Sequence, residues 1–220
     1  ATLNISGETE LVMGATTSLT DIETVNAASF DAGLEIDLSS AGQAVTITTG
    51  AGADIVVGSD FADTINVGNG GNTVTGGLAG DDITIGSGVA EGDVDTIVYT
   101  AVAESQGVNV DTITGFQVAV QSTDDVDTDG DVDADDIIND ILDFSGVVAT
   151  GTSSYAGEAN GYGAVLTTLQ AGGTDSLAVL DTSTNTLYWD VNADGQLDNN
   201  DMAIELAGVT DLSADNFAFV

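Results

Sequence analysis

The chain has 220 residues, of which 37 are Asp or Glu, with no Lys, Arg, His, Cys or Pro, for a formal net charge of −37. That balance excludes nucleic-acid binding, which needs cations against phosphate, and it repels the protein from anionic membranes. It also excludes disulfides, thiolate zinc sites, and the triads, Schiff bases and imidazole bases built on Cys, Lys or His.

With 42% hydrophobic residues, the chain is not a disordered acidic tail. No run approaches the roughly 20 apolar residues of a membrane span. The apolar residues are mostly Val, Ile, Leu and Ala set among Thr, Asp, Asn and 28 Gly. This composition favours many short strands joined by Gly/Asp/Asn turns. A compact state carrying so many carboxylates without counter-charge repels itself. Bound cations are the expected remedy. Surface acidity for solubility alone would not place Asp at fixed loop spacings.

In chain order, residues 1–33 read as an N-terminal cap with short strands at Leu3–Ile5, Leu11–Met13 and Ile22–Val25. Ala1 to Gly14 lacks the basic region of a Sec leader, so either a removed leader or another export route is expected. Residues 34–100 read as a parallel coil. Leu38, Ile47 and Val56 are nine apart and carry the strand rhythm. From 50 to 84 the blocks of nine are explicit: Asp54, Asp63, Asn72 and Asp81, each followed two positions on by Val56, Ile65, Val74 or Ile83. Gly-rich turns precede them. Asp95 with Ile97 follows after a five-residue insertion around Ser87 to Gly92.

A nine-residue unit of turn plus strand is half a coil of a β-solenoid, so strands stack i to i+18. Asp54 then lies over Asn72 on one edge and Asp63 over Asp81 on the other. A carboxylate with turn carbonyls is a hard-oxygen set suited to calcium, which makes Asp54, Asp63, Asn72, Asp81 and Asp95 candidate ligands. The expected fold class is all-β: a parallel β-roll or β-solenoid with calcium-binding turns, capped by an irregular β-rich region over 101–220. After the repeats, Ile97–Tyr99 and Asp111–Phe116 read as strands, Ile137–Phe144 as a short helix or strand, and 146–180 as alternating turns and apolar runs.

Two segments match a twelve-residue EF-hand-type loop. The first runs Asp125 to Asp136, with Asp125, Asp127, Asp129, Asp131, Asp133 and Asp136 at positions 1, 3, 5, 7, 9 and 12 and Gly130 at 6. The second runs Asp190 to Asp201, with Asp190, Asn192, Asp194, Gln196, Asp198 and Asp201 in the same roles and Gly195 at 6. Position 7 offers its backbone carbonyl, and the aliphatic at 8 (Val132, Leu197) faces the core. Both carry Asp rather than Glu at 12, a shorter reach for bidentate binding. Trp189 is expected to pack in the core beside the second loop. No carboxylate pair stands out at glycosidase spacing, so no enzymatic activity is expected.

On these residues the chain resembles the C-terminal region of RTX proteins, the repeats-in-toxin family. Gly76-Gly77-Leu78-Ala79-Gly80-Asp81-Asp82-Ile83-Thr84 is close to the family nonapeptide, and Gly58-Ser59-Asp60-Phe61-Ala62-Asp63-Thr64-Ile65-Asn66 is a degenerate copy. Asp111–Phe116 is similar to the strand after the roll. Leu187–Asp190, Ile204–Val209 and Phe217–Val220 are similar to the terminal cap and uncleaved secretion signal. The resemblance implies a bacterial protein exported unfolded by type I secretion machinery, folding on several calcium ions outside the cell.

Three roles are compatible with this reading. The first is a structural protein whose copies assemble as an extracellular filament, surface layer (S-layer) or matrix, since the repeats and caps fill most of the chain. The second is the secretion and folding module of a larger exoprotein. The third is a calcium-dependent adhesin.

Overall fold

The strands between Thr2 and Thr114 are three or four residues long because the sequence alternates. In Thr46–Thr48 and Thr64–Asn66 a branched aliphatic is flanked by polar residues, and only that middle side chain is buried. Period-two patterning this short buries one residue per strand. Such a strand is stable only when stacked on copies of itself. The structure, a computed structural model, describes residues 1–14, 19–86, 93–118, 120–121 and 137–219. The first EF-type loop, Asp125 to Asp136, lies outside the described residues.

Successive strands alternate between two sheets. The first sheet takes β1 (Thr2–Asn4), β3 (Thr24–Asn26), β5 (Thr46–Thr48), β7 (Thr64–Asn66), β9 (Asp82–Thr84) and β11 (Asp111–Thr114), all parallel neighbours. The second takes β2 (Leu11–Met13), β4 (Leu34–Asp37), β6 (Ile55–Val57), β8 (Thr73–Thr75), β10 (Thr96–Val98) and β14 (Ile141–Asp143). A separate antiparallel pair, β12 (Val120–Gln121) and β13 (Ile137–Ile138), brackets the acidic insertion.

The core runs between the two sheets. Ile47, Ile65, Ile83 and Ile113 stack in one column, and Ile36, Val56, Val74, Ile97 and Leu142 in the other, each with at most 1% of its surface exposed. Each such side chain contributes about 1.5–3 kcal/mol by burial.

The eighteen-residue step holds where the nine-residue blocks are intact, as in Ile47 over Ile65 and Val56 over Val74. Elsewhere the coil lengthens. Val56 pairs with Ile36, not with Leu38, which follows β4 with its amide on the Val57 carbonyl at 2.8 Å. Parallel pairing begins at β1 and β2, so the strands within 1–33 belong to the same stack.

The C-terminal part returns to the solenoid. β15 (Ser153–Ala159), α1 (Tyr162–Ala171) and β16 (Ser176–Asp181) form a parallel strand–helix–strand unit. The helix sits where the sequence suggested only turns and apolar runs. It is anchored by Val165 and Leu169, four apart, packed with Val179. β17 (Thr186–Asp190) and β18 (Met202–Ala207) follow as an antiparallel meander. β18 docks parallel on β11, and β19 (Phe217–Ala218) docks parallel on β14, so the C-terminal part extends both solenoid sheets, the first through β18, β17 and β16 to β15. Phe144 stacks between Tyr99 at 5.4 Å and Trp189 at 4.8 Å, with Phe219 at 5.7 Å, where these strands close. Among the described residues no helix is long and apolar enough to cross a membrane.

Candidate metal centres

The residue two positions before each buried strand aliphatic forms two buried ladders. In one, the amide of Leu34 donates to Asp54 Oδ1 (2.8 Å), that of Asp54 to Asn72 Oδ1 (3.0 Å), that of Asn72 to Asp95 Oδ1 (2.8 Å) and that of Asp95 to Asp140 Oδ1 (3.0 Å). In the other, the amide of Val45 donates to Asp63 Oδ1 (2.7 Å), that of Asp63 to Asp81 Oδ1 (2.7 Å) and that of Asp81 to Asp111 Oδ1 (2.8 Å). The Asp111 amide ends this ladder on Ser105 Oγ at 2.9 Å, and that hydroxyl donates on to the Ala203 carbonyl. Every Asp and Asn in both ladders is at most 2% exposed.

One oxygen of each ladder residue is therefore committed to the neighbouring coil. The second differs from site to site. Asp63 Oδ2 accepts from the Ser59 amide at 2.5 Å. Asn72 Nδ2 donates to the Gly70 carbonyl at 2.5 Å and to those of Val67 and Gly68 at 3.4 Å. The second oxygens of Asp54, Asp81 and Asp111 are buried with no hydrogen-bond partner. The Thr49 and Tyr99 hydroxyls lie beside Asp54 and Asp111 and ease the burial of their charge, though neither is in full hydrogen-bond geometry.

A buried carboxylate left this way disfavours its charge. Burial pushes the Asp81 carboxyl up to about 8, with Asp111, Asp63 and Asp82 adding repulsion. It pushes Asp111 up to about 7, with Glu104 adding repulsion. Asp54 and Asp63 are raised by the same desolvation, opposed by the hydrogen bonds they accept.

The donor set at three of these positions fits a hard cation. Asn72 turns a hydrogen donor toward backbone carbonyls in its second position; Asp63 and Asp140 have theirs met by the Ser59 and Gln117 amides; at Asp54, Asp81 and Asp111 the oxygen in that role needs a proton or a metal ion. Glycine is required beside it: a Cβ on Gly76 would collide with Asp81 Oδ2. Gly77 has φ +109° and sits on the Ser59 carbonyl of the coil below, so the turns touch backbone to backbone. Among the described residues no three acidic side chains converge on a single point where they could hold an ion. A cation here would draw on one carboxylate together with carbonyls.

The second EF-type loop is turned by its own side chains. Asp190, at the end of β17, accepts from the Asp194 amide (3.2 Å) and the Gly195 amide (2.8 Å). Asn192 Oδ1 takes the Asp194 amide at 3.0 Å, and Asp194 Oδ1 the Gln196 amide at 2.8 Å. Asp201 accepts from the Val191 amide at 3.0 Å and the Asp198 amide at 2.8 Å, which ties position 12 back to position 2. Asp198 Oδ1 takes the Asn200 amide at 2.7 Å. Gly195 has φ +73°, the conformation glycine supplies at position 6. Leu197 packs against Val165, Leu169 and Val179, and Trp189 is buried. Burial pushes Asp201 up to about 6, with the Asp190 and Asp198 charges raising it further.

The ladders contain two residues that the spacing did not flag, Asp111 and Asp140. Both carry the same local signal, Asp followed two positions on by Ile113 or Leu142, but insertions break the nine-residue count. No protein-family model matches this chain, and no curated protein sequence matches it.

Proposed function

We propose that the chain is a secreted calcium-binding structural protein that folds when calcium binds and then assembles with copies of itself outside the cell, as a filament, surface layer or matrix. The observation that carries this is the row of buried carboxylate oxygens at Asp54, Asp81 and Asp111 without partners, in a chain with no basic side chain. Asp54, Asp63, Asp81, Asp95, Asp111 and Asp140 in the ladders would hold ions with turn carbonyls. Asp190, Asn192, Asp194, Gln196, Asp198 and Asp201 would hold one in the second loop, and Asp125, Asp127, Asp129, Asp131, Asp133 and Asp136 one in the first. Bound calcium supplies the positive charge the sequence lacks, so that binding free energy becomes folding free energy.

The assembly step draws on the ends of the stack. β1 and β2 each have a neighbour on one side only, as do β15 and β19 at the other ends of their sheets. Unpaired strand edges are templates for a further chain. The fold also suits a secretion and folding module or a calcium-dependent adhesin. Static light scattering with and without calcium tests the reading. Calcium-dependent growth supports assembly, and a monodisperse monomer at millimolar calcium contradicts it.

A further inference from the structure

In β3, β5, β7, β9 and β11 a buried middle residue, and in β1 the half-buried Leu3, leaves its two neighbours pointing outward. The triplets are Thr-Leu-Asn, Thr-Val-Asn, Thr-Ile-Thr, Thr-Ile-Asn, Asp-Ile-Thr and Thr-Ile-Thr. Their pairing is in register, with no bulge from Thr2 to Thr114. The outward side chains therefore form two columns in which only Asp82 is not Thr or Asn. All are exposed or half-buried.

Strand propensity favours Thr on any outward face, but the second sheet, built on the same coils, does not share the pattern. Its outward positions carry Glu35, Asp37, Ile55, Val57, Val98 and Asp143 alongside threonines. The Thr/Asn array, with Asp82 its single charge, belongs to one face, in a chain with 37 acidic residues.

The spacing is that of a lattice, about 4.8 Å between strands and about 6.7 Å between alternate residues along a strand. A partner that uses the whole array must itself be periodic in two dimensions. A calcium mineral would call for carboxylates in register, and Asp82 is the single one here. A crystalline polysaccharide would call for aromatic platforms, and the triplets contain none. Water ordered as ice has a comparable repeat and is matched by alternating hydroxyl, amide and methyl groups. We propose that this face adsorbs to ice crystals.

The test is partition of the folded protein into slowly grown ice, with thermal hysteresis as the second readout, in millimolar calcium and with circular dichroism confirming the strands. The wild type is expected to enter the ice and to shape the crystals. T46Y/T64Y, or T64Y alone if the pair does not fold, should lose both effects, while T73Y on the opposite sheet keeps them. Rejection of the folded wild type from ice overturns the proposal, as does equal loss in T73Y. Adsorption to a mineral or to chitin without adsorption to ice overturns it too. None of these outcomes depends on whether the protein assembles.

Discussion

The backbone amide of Asp63 donates to the carboxylate of Asp81 at 2.7 Å, across the gap between two successive coils. The side chain of one repeat thereby satisfies the main chain of the previous one. This contact recurs along both edges of the solenoid and sets the terms of its stability.

Removing the acceptor should be costly. In Asp81→Ala the Asp63 amide is left buried and unpaired, a loss of about 1–3 kcal/mol. Asp81→Asn keeps the acceptor and, as at Asn72, adds a donor toward the turn. The Asn variant is therefore expected to be at least as stable as wild type without metal and to gain less from calcium. Urea denaturation with and without chelator checks both.

Without metal, stability should fall as pH rises. In the fold Asp81 keeps its proton up to about pH 8, whereas in the unfolded chain it loses it near 3.8. The folded state therefore binds more protons through that interval. Its advantage is complete below pH 3.8 and is lost by about pH 8; Asp111 acts in the same sense up to about 7. Melting temperatures in chelator should decline from pH 4.5 upward until the folded signal is lost near pH 8, and calcium should flatten the decline. A rise with pH in chelator would contradict the buried-carboxylate argument.

The second loop should respond locally. Gly195 has φ +73°, and a Cβ there would lie 3.2 Å from Gln170 Cγ, so Gly195→Val is strained whatever the metal content. Asp190→Ala removes both anchors of the turn at Asp194 and Gly195. Hydrogen exchange should accelerate over 190–201 in either variant while the solenoid strands stay protected.

The aromatic closure should matter for the whole stack. Phe144 is fully buried against Tyr99, Trp189 and Phe219, and Phe144→Ala should cost about 3–5 kcal/mol. Loss of the near-ultraviolet signal of Trp189 before the far-ultraviolet signal would show that the C-terminal strands detach first.

The parallel stack was legible wherever turn and strand kept a fixed length. Asp54 to Asp81 gave both the register and the ladder partners because each coil there closes in eighteen residues. Over residues 1–33 the pattern is weaker: the inward-facing Leu3, Met13 and Val25 follow one another at longer spacings than nine residues, and Ala1 and Glu23, not Asp or Asn, stand two positions before Leu3 and Val25. Leu38 misled because it is apolar and nine residues from Ile47, although Ile36 is the residue that faces Val56. Helix α1 left a weak trace, since two buried residues four apart do not outweigh surrounding Gly and Thr. The return of β18 and β19 to the solenoid is a long-range pairing that no local pattern encodes. That the ladder carboxylates bond to the neighbouring backbone was hidden as well, because spacing shows where an Asp sits but not which oxygen is already in use.

The most direct test of the central claim is the far-ultraviolet circular dichroism of the purified chain at pH 8 and low salt, titrated with calcium from excess chelator. We predict little β signal in chelator and a cooperative gain of β structure as calcium rises, with a melting temperature that climbs with free calcium by mass action. An unchanged β spectrum and melting temperature in chelator would show that the buried carboxylates manage without a cation, and the account of calcium-coupled folding would fail.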